Sequence, residues 1–181
     1  MNYGDILPSI ARASISERFG LNVRKPDCPP QFLEHGATFV TLTRDGALRG
    51  CIGTLEAHRS IVIDTRQNAK AAAFHDPRFP PLLETEYDLI RIEVSLLSEA
   101  EPLAFSSEEE ALLQLRPGTD GIIFECGSRR STFLPQVWES LSEPRVFLAQ
   151  LKQKAGFPAG FWAEEIRLSR YTVSKWKEVH G

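Results

Sequence analysis

Cysteine is scarce in this chain: three in 181 residues, at positions 28, 51 and 126, with no Cys-x-x-Cys pair. An odd, widely spaced set excludes a disulfide framework and leads us to expect reduced thiols and a cytoplasmic location. It also excludes the Cys-x3-Cys-x2-Cys arrangement that holds an iron–sulfur cluster in radical enzymes. Long apolar runs are missing, none approaching the roughly 20 residues a membrane helix needs. The first segment, with Asp5, Arg12, Glu17 and Arg18, lacks the apolar core of a secretion signal. Four histidines, at 35, 58, 75 and 180, show no zinc spacing. Neither a phosphate-cradling glycine loop nor Gly-x-Ser-x-Gly occurs, so no cofactor and no metal are expected. A basic excess is absent too: 21 Lys and Arg against 24 Asp and Glu give a net charge of -3. Nucleic acid or anionic membrane would therefore have to meet a local patch, such as Arg49, Arg78 and Arg129 together.

What is present is an ordinary globular composition, 42% hydrophobic and 25% charged, enough for one filled core or two small lobes sharing it. The most informative stretch is Leu48-Arg49-Gly50-Cys51-Ile52-Gly53-Thr54. The strand-like Phe39–Thr43 precedes it, and Arg44-Asp45-Gly46 between them signals a tight turn. Alternation along the returning strand puts Leu48 and Ile52 on one face, and Arg49, Cys51 and Gly53 on the other. That face then offers a fixed cation, a thiol roughly 6.6 Å further on, and glycines that admit another molecule or backbone. A guanidinium beside a thiol favours the thiolate. The same residues equally describe a strand packed under a helix, with Cys51 a small buried hydrophobe.

A first helix over about 4–20 would bury Leu7, Ile10, Ala11 and Ser14 and stop at Gly20. Residues 22–34, with Pro26, Pro29 and Pro30, read as an ordered loop or linker, and Cys28 as a bystander. Ser60 caps a helix to Phe74 with an inner face of Ile61, Thr65, Ala69 and Ala72, slim enough to lie close on glycines 50 and 53. His75-Asp76-Pro77-Arg78-Phe79-Pro80-Pro81 ends it in a stiff loop. There Asp76 and Arg78 serve a site or simply pair with each other. Arg91–Leu97 alternates as a strand. Ser106 or Ser107 caps a helix before Pro117-Gly118, and Ile122–Cys126 reads as a strand turned back by Gly127–Arg130. Pro144–Ala155 is a helix burying Phe147, Leu148 and Leu151. Residues 165–173 form the last strand, with Ile166 and Leu168 inward. Trp138 and Trp162 are read as core. The sum is an α+β fold, and strand-strand-helix order in both halves suggests an internal duplication. With so few strands, one sheet is expected, with the signature hairpin central.

The heptapeptide resembles the signature of the AMMECR domain family, whose bacterial and archaeal members are called AmmeMemoRadiSam system protein A. Phe39–Leu42, Asp76–Leu82, Ile92–Leu97, Phe133–Val137 and Lys154–Gly156 follow in that family's order. The resemblance implies a mixed α+β sheet with flanking helices, arranged as a larger and a smaller lobe in a single domain over 1–181. It also implies gene neighbours: a radical S-adenosylmethionine protein and a Memo-type dioxygenase homologue. Two functions are expected to compete. One is a binding or accessory module in which Arg49, Gly50, Gly53, Asp76 and Arg78 receive a small anionic ligand or partner strand. The other is an enzyme using Cys51 as nucleophile or redox thiol with Arg49 as anion clamp, acting on a small molecule, a peptide or an RNA base. No histidine is tied by sequence to Cys51, which speaks for the first. Arg49 and Arg78 are expected to converge although a 14-residue helix, roughly 21 Å long, lies between them. Otherwise each takes a carboxylate of its own, Asp76 for Arg78 and Glu56 or Glu93 for Arg49.

Overall fold

Two hairpins, each followed by a helix and a third strand, organise the chain. The computed structural model describes residues 3–179, so His180 lies outside the described residues. In chain order the elements are α1 (Tyr3–Phe19), β1 (Ala37–Arg44), β2 (Ala47–Gly53), α2 (Ile61–Phe74) and β3 (Ile90–Leu97). Then come β4 (Glu101–Pro102), α3 (Glu108–Gln114), β5 (Gly121–Cys126), β6 (Arg129–Phe133), α4 (Pro144–Lys154), β7 (Arg167–Tyr171) and β8 (Val173–Lys177). The class is α+β. Instead of one mixed sheet there are two four-stranded sheets, ordered β2-β1-β3-β8 and β4-β7-β5-β6. Every pairing whose register is defined is antiparallel. The strand shortage behind the single-sheet expectation is made up by β4 and β8, both unforeseen, and the strand expected over 165–173 is β7, Arg167–Tyr171.

The chain divides into two compact units, one of Met1–Leu97 with Ser174–Gly181 and one of Ser98–Val173. Buried apolar side chains likewise form two clusters, one within each unit. Both units repeat one order: β3 returns after α2 to pair with β1, and β7 returns after α4 to pair with β5. Among the described residues, no helix is long and apolar enough to cross a membrane.

In the first unit α1 buries Leu7, Ile10, Ala11 and Ser14 and ends at Gly20, whose φ of +67° suits glycine. Ser60 Oγ accepts from Ile63 N at the start of α2, and Ile61, Thr65, Ala69 and Ala72 turn inward. Val40, Leu42, Ile92 and Val94 face the same core, each fully buried or nearly so, worth about 1.5–3 kcal/mol apiece. The β1–β2 turn is Asp45-Gly46, both at positive φ (51° and 78°), as a two-residue hairpin demands. Within the 22–34 segment, Pro30–Leu33 forms a 3-10 turn that buries Phe32.

In the second unit Ser107 Oγ caps α3 by accepting from Glu110 N, while Glu110 Oε2 accepts from Ser106 N, one residue before the cap. α4 buries Phe147, Leu148 and Leu151. Trp138 is core, stacked on Phe147 at 3.7 Å with its indole N–H on Asp120 O. The β5–β6 turn is only Gly127-Ser128; Arg129 and Arg130 belong to β6. Lys154 Nζ donates to Thr132 O on β6, occupying a backbone group of an edge strand.

Candidate functional site

β2 is an edge strand, not a central one, and its register carries an irregularity. Leu42 pairs with Gly50 but Thr43 pairs with Leu48, so Arg49 is the extra residue of a bulge. The bulge overturns simple alternation. Leu48 takes the outward side and is 43% exposed, while Arg49 is turned in, 9% exposed. There its Nε and Nη2 clasp Glu86 Oε1 and Oε2 at 2.9 and 3.0 Å. The partner is Glu86, from the 3-10 turn Glu84–Glu86, and neither Glu56 nor Glu93. Glu86 also accepts from Arg44 Nη1 and Leu83 N. These contacts, those of Arg49 first, hold its carboxyl down to about 2. Arg49 Nη1, buried, has no hydrogen-bond partner among the described residues.

Gly50 has a packing reason. A Cβ there would lie 2.1 Å from Ala72 O, so α2 can cross β2 only on a glycine. Gly53 lies under the ring of its cross-strand partner Phe39, where a Cβ would meet Cγ at 2.1 Å. Both glycines are therefore filled by the protein's own atoms.

Cys51 pairs with Thr41, whose hydroxyl lies 3.3 Å from Sγ. Thr54 N donates to Thr38 O, which sets the phase of the ladder. Three residues back, Cys51 falls in a non-hydrogen-bonded pair with its amide and carbonyl directed at the open edge. Both are taken by the loop after α2. Asp76 Oδ2 accepts from Cys51 N at 2.9 Å, and Arg78 Nη2 donates to Cys51 O at 3.1 Å. Locally the Asp76–Arg78 pair acts as the missing neighbour strand.

The loop reaches this position by short-range chemistry. Asp76 Oδ1 accepts from Arg78 N two residues on, a turn that Pro77 favours by fixing its own φ. Arg78 Nε and Nη2 complete a bidentate pair with Asp76 at 3.0 and 2.7 Å. Asp76 is 3% exposed. The Arg78 hydrogen bonds outweigh its burial and hold it well below the usual carboxylate range. Arg78 remains half exposed, and its Nη1 makes no hydrogen bond among the described residues.

The structure thus brings Cys51, Asp76 and Arg78 together directly. Arg49 joins through Phe79, whose ring centre lies 6.0 Å from the Arg49 guanidinium and 5.6 Å from that of Arg78. Each arginine has its own carboxylate, yet both lie near one aromatic ring. No histidine hydrogen-bonds to Cys51 among the described residues; the His58 ring is engaged by Glu56 O. No group of three His, Cys, Asp or Glu that could hold a metal occurs among them either.

Sequence reasoning missed Glu86 and Phe79, and it missed a second network beside the strand's end. Asp64, wholly buried, accepts from Thr38 N, Thr38 Oγ1, Asn68 Nδ2, Thr54 Oγ1 and Arg59 Nε. Thr54 closes the signature by entering this network. A capping-type acid in the first turn of α2 was the available signal, since Asp64 lies four residues after Ser60.

The AMMECR1 family profile matches residues 8–176. A protein of Methanothermobacter thermautotrophicus is 38% identical, over 97% of this chain and 94% of its own length. One of Thermotoga maritima is 37% identical, over 88% and 89% respectively. The crystal structure of an uncharacterised protein from Pyrococcus horikoshii superposes with a TM-score of 0.81 at 34% identity, covering 98% of this chain and 92% of that one.

Proposed function

The chain belongs to the AMMECR1 family, and from that premise we propose that it is a binding or accessory module. In this reading Arg78, Arg49 and Phe79 receive an anionic group of a small ligand or partner. The observation that carries it is the pair of guanidinium nitrogens left over near Phe79, Arg49 Nη1 buried and Arg78 Nη1 on a half-exposed side chain. Guanidinium donors held rigid by carboxylates lose little freedom on meeting a carboxylate or phosphate. Asp76 acts as a positioning residue, and Gly50 and Gly53 hold the strand where the arginines need it. An accessory role beside a radical S-adenosylmethionine protein and a Memo-type protein is supported by the gene neighbours that the family resemblance implies.

Thermal shifts with sulfate, phosphate and nucleotides on wild type, Arg78→Ala and Arg49→Lys test the site. Stabilisation of wild type that is lost in Arg78→Ala is expected. Equal stabilisation of all three chains refutes it.

The alternative, a thiol-dependent enzyme, draws support from Arg78 lying against the Cys51 backbone and Thr41 lying against its sulfur. It lacks a base. Iodoacetamide labelling separates the two readings. If Cys51 only packs, the exposed Cys28 is modified first; Cys51 modified first at neutral pH favours thiol chemistry.

A further inference from the structure

The proline-rich segment after α1, given no function above, covers a cavity of about 160 Å3 between α1 and α2. Its floor is apolar: Ile10 and Ala13 of α1, each 5% exposed, and the half-buried Val62 of α2. Ser14 beside them has its hydroxyl committed to Ile10 O at 2.9 Å, so the floor offers no free donor. The rim is charged and unbalanced. Glu17 Oε1 meets Arg66 Nη2 at 3.0 Å and Lys25 Nζ at 3.2 Å, and Glu17 Oε2 meets Lys70 Nζ at 2.7 Å. Of these only Lys25, Arg66 and Glu17 line the cavity, an excess of one positive charge, while Lys70 outside the lining does most to hold the Glu17 carboxyl down to about 2. Each lysine has three donors and Arg66 five, so most of their hydrogen-bonding capacity is unspent on Glu17.

An apolar floor under a cationic rim is the complement of an anionic amphiphile. The size narrows the class. A cavity of about 160 Å3 suits an aliphatic chain of a few carbons. We propose that this cavity binds a free short-chain aliphatic carboxylic acid, its carboxylate between Lys25 and Arg66 and its chain on Ile10, Ala13 and Val62. The 22–30 segment then acts as a strap, contributing Lys25 to the head-group site and Pro26 and Cys28 to the roof. This site shares no residue with the Arg78 site and stands or falls separately.

The test uses the full-length protein with acetate, butyrate, valerate, octanoate, 1-butanol and phosphate as probes. Affinity should rise about fourfold per methylene from acetate to valerate, the equivalent of one buried CH2. It should fall at octanoate and be undetectable for 1-butanol. Butyrate should slow alkylation of Cys28, which lines the cavity, and should do so equally in Arg78→Ala. Lys25→Ala and Arg66→Ala, both at exposed or half-exposed side chains, should each weaken butyrate binding tenfold or more. The proposal is overturned if acetate, butyrate and phosphate stabilise alike, which is charge screening alone, or if Lys25→Ala binds butyrate as wild type does.

Discussion

Replacing Glu86 by glutamine tests whether the Arg49 clasp stabilises the fold through charge. Glu86 and Arg49 side chains are each 11% exposed, so screening is modest at the pair itself and larger at Arg44. The carboxyl lies at about 2 against an ordinary 4.5. At about 1.4 kcal/mol per unit that displacement corresponds to about 3 kcal/mol, and to about 2–3 kcal/mol after allowing for solvent at the rim. A depressed acid stabilises the native state above its unfolded pKa and loses that contribution as pH falls through the folded one. Wild type should therefore exceed Glu86→Gln by about 2–3 kcal/mol at pH 7, and the gap should close between about pH 4.5 and 2. Urea unfolding at pH 7, 5, 3.5 and 2.5 gives the difference directly. A gap that stays constant across that range would mean that the glutamine costs packing rather than charge, and the reasoning would fail.

Two further outcomes bear on the fold. Gly50→Ala should cost at least about 2 kcal/mol, because Ala72 O is backbone and cannot step aside. Gly46→Ala, in open space at φ +78°, should cost only about 1 kcal/mol; equal losses in urea midpoints would refute the close-approach argument. A chain ending at Val173 loses β8 and the Glu178 carboxylate that Arg12 holds through Nε and Nη2 at 2.7 Å each. We propose that the chain works as a single domain because its first unit is closed by this strand. Hydrogen exchange should show β3 deprotected in the shortened chain and β5 unchanged, and wild-type protection of β3 would contradict this.

Local signals were legible in the sequence and long-range pairings were not. Ser60, the inner face of α2 and the Asp45-Gly46 turn all follow from neighbours within four residues. The proline-flanked Asp76-x-Arg78 pair was visible for the same reason. Arg49 was misplaced because a bulge adds one residue without any compositional mark, and one residue reverses every face beyond it. Its partner Glu86 is 37 residues away in a short 3-10 turn with no periodicity. β8 escaped because Val173–Lys177 carries Lys175 and Lys177, the charges that suit an exposed edge and that look like a polar tail. The glycines of the signature read as room for a ligand, and only the helix and ring that fill that room decide otherwise.

The chain order of the first sheet sets a timetable for its synthesis. β1, β2 and β3 are complete once Leu97 is made, but β8, which follows β3 in the sheet order, begins only at Val173. A ribosome adding about 5–20 residues per second needs roughly 4–15 s to cover that interval. For those seconds β3 carries a bare edge, and Arg12, seated on Ile90 O by Nη2, waits for Glu178. A nascent chain in this condition is open to strand pairing with its neighbours on the same messenger. Slow codons between 98 and 173 would lengthen that exposure, and fast ones would shorten it.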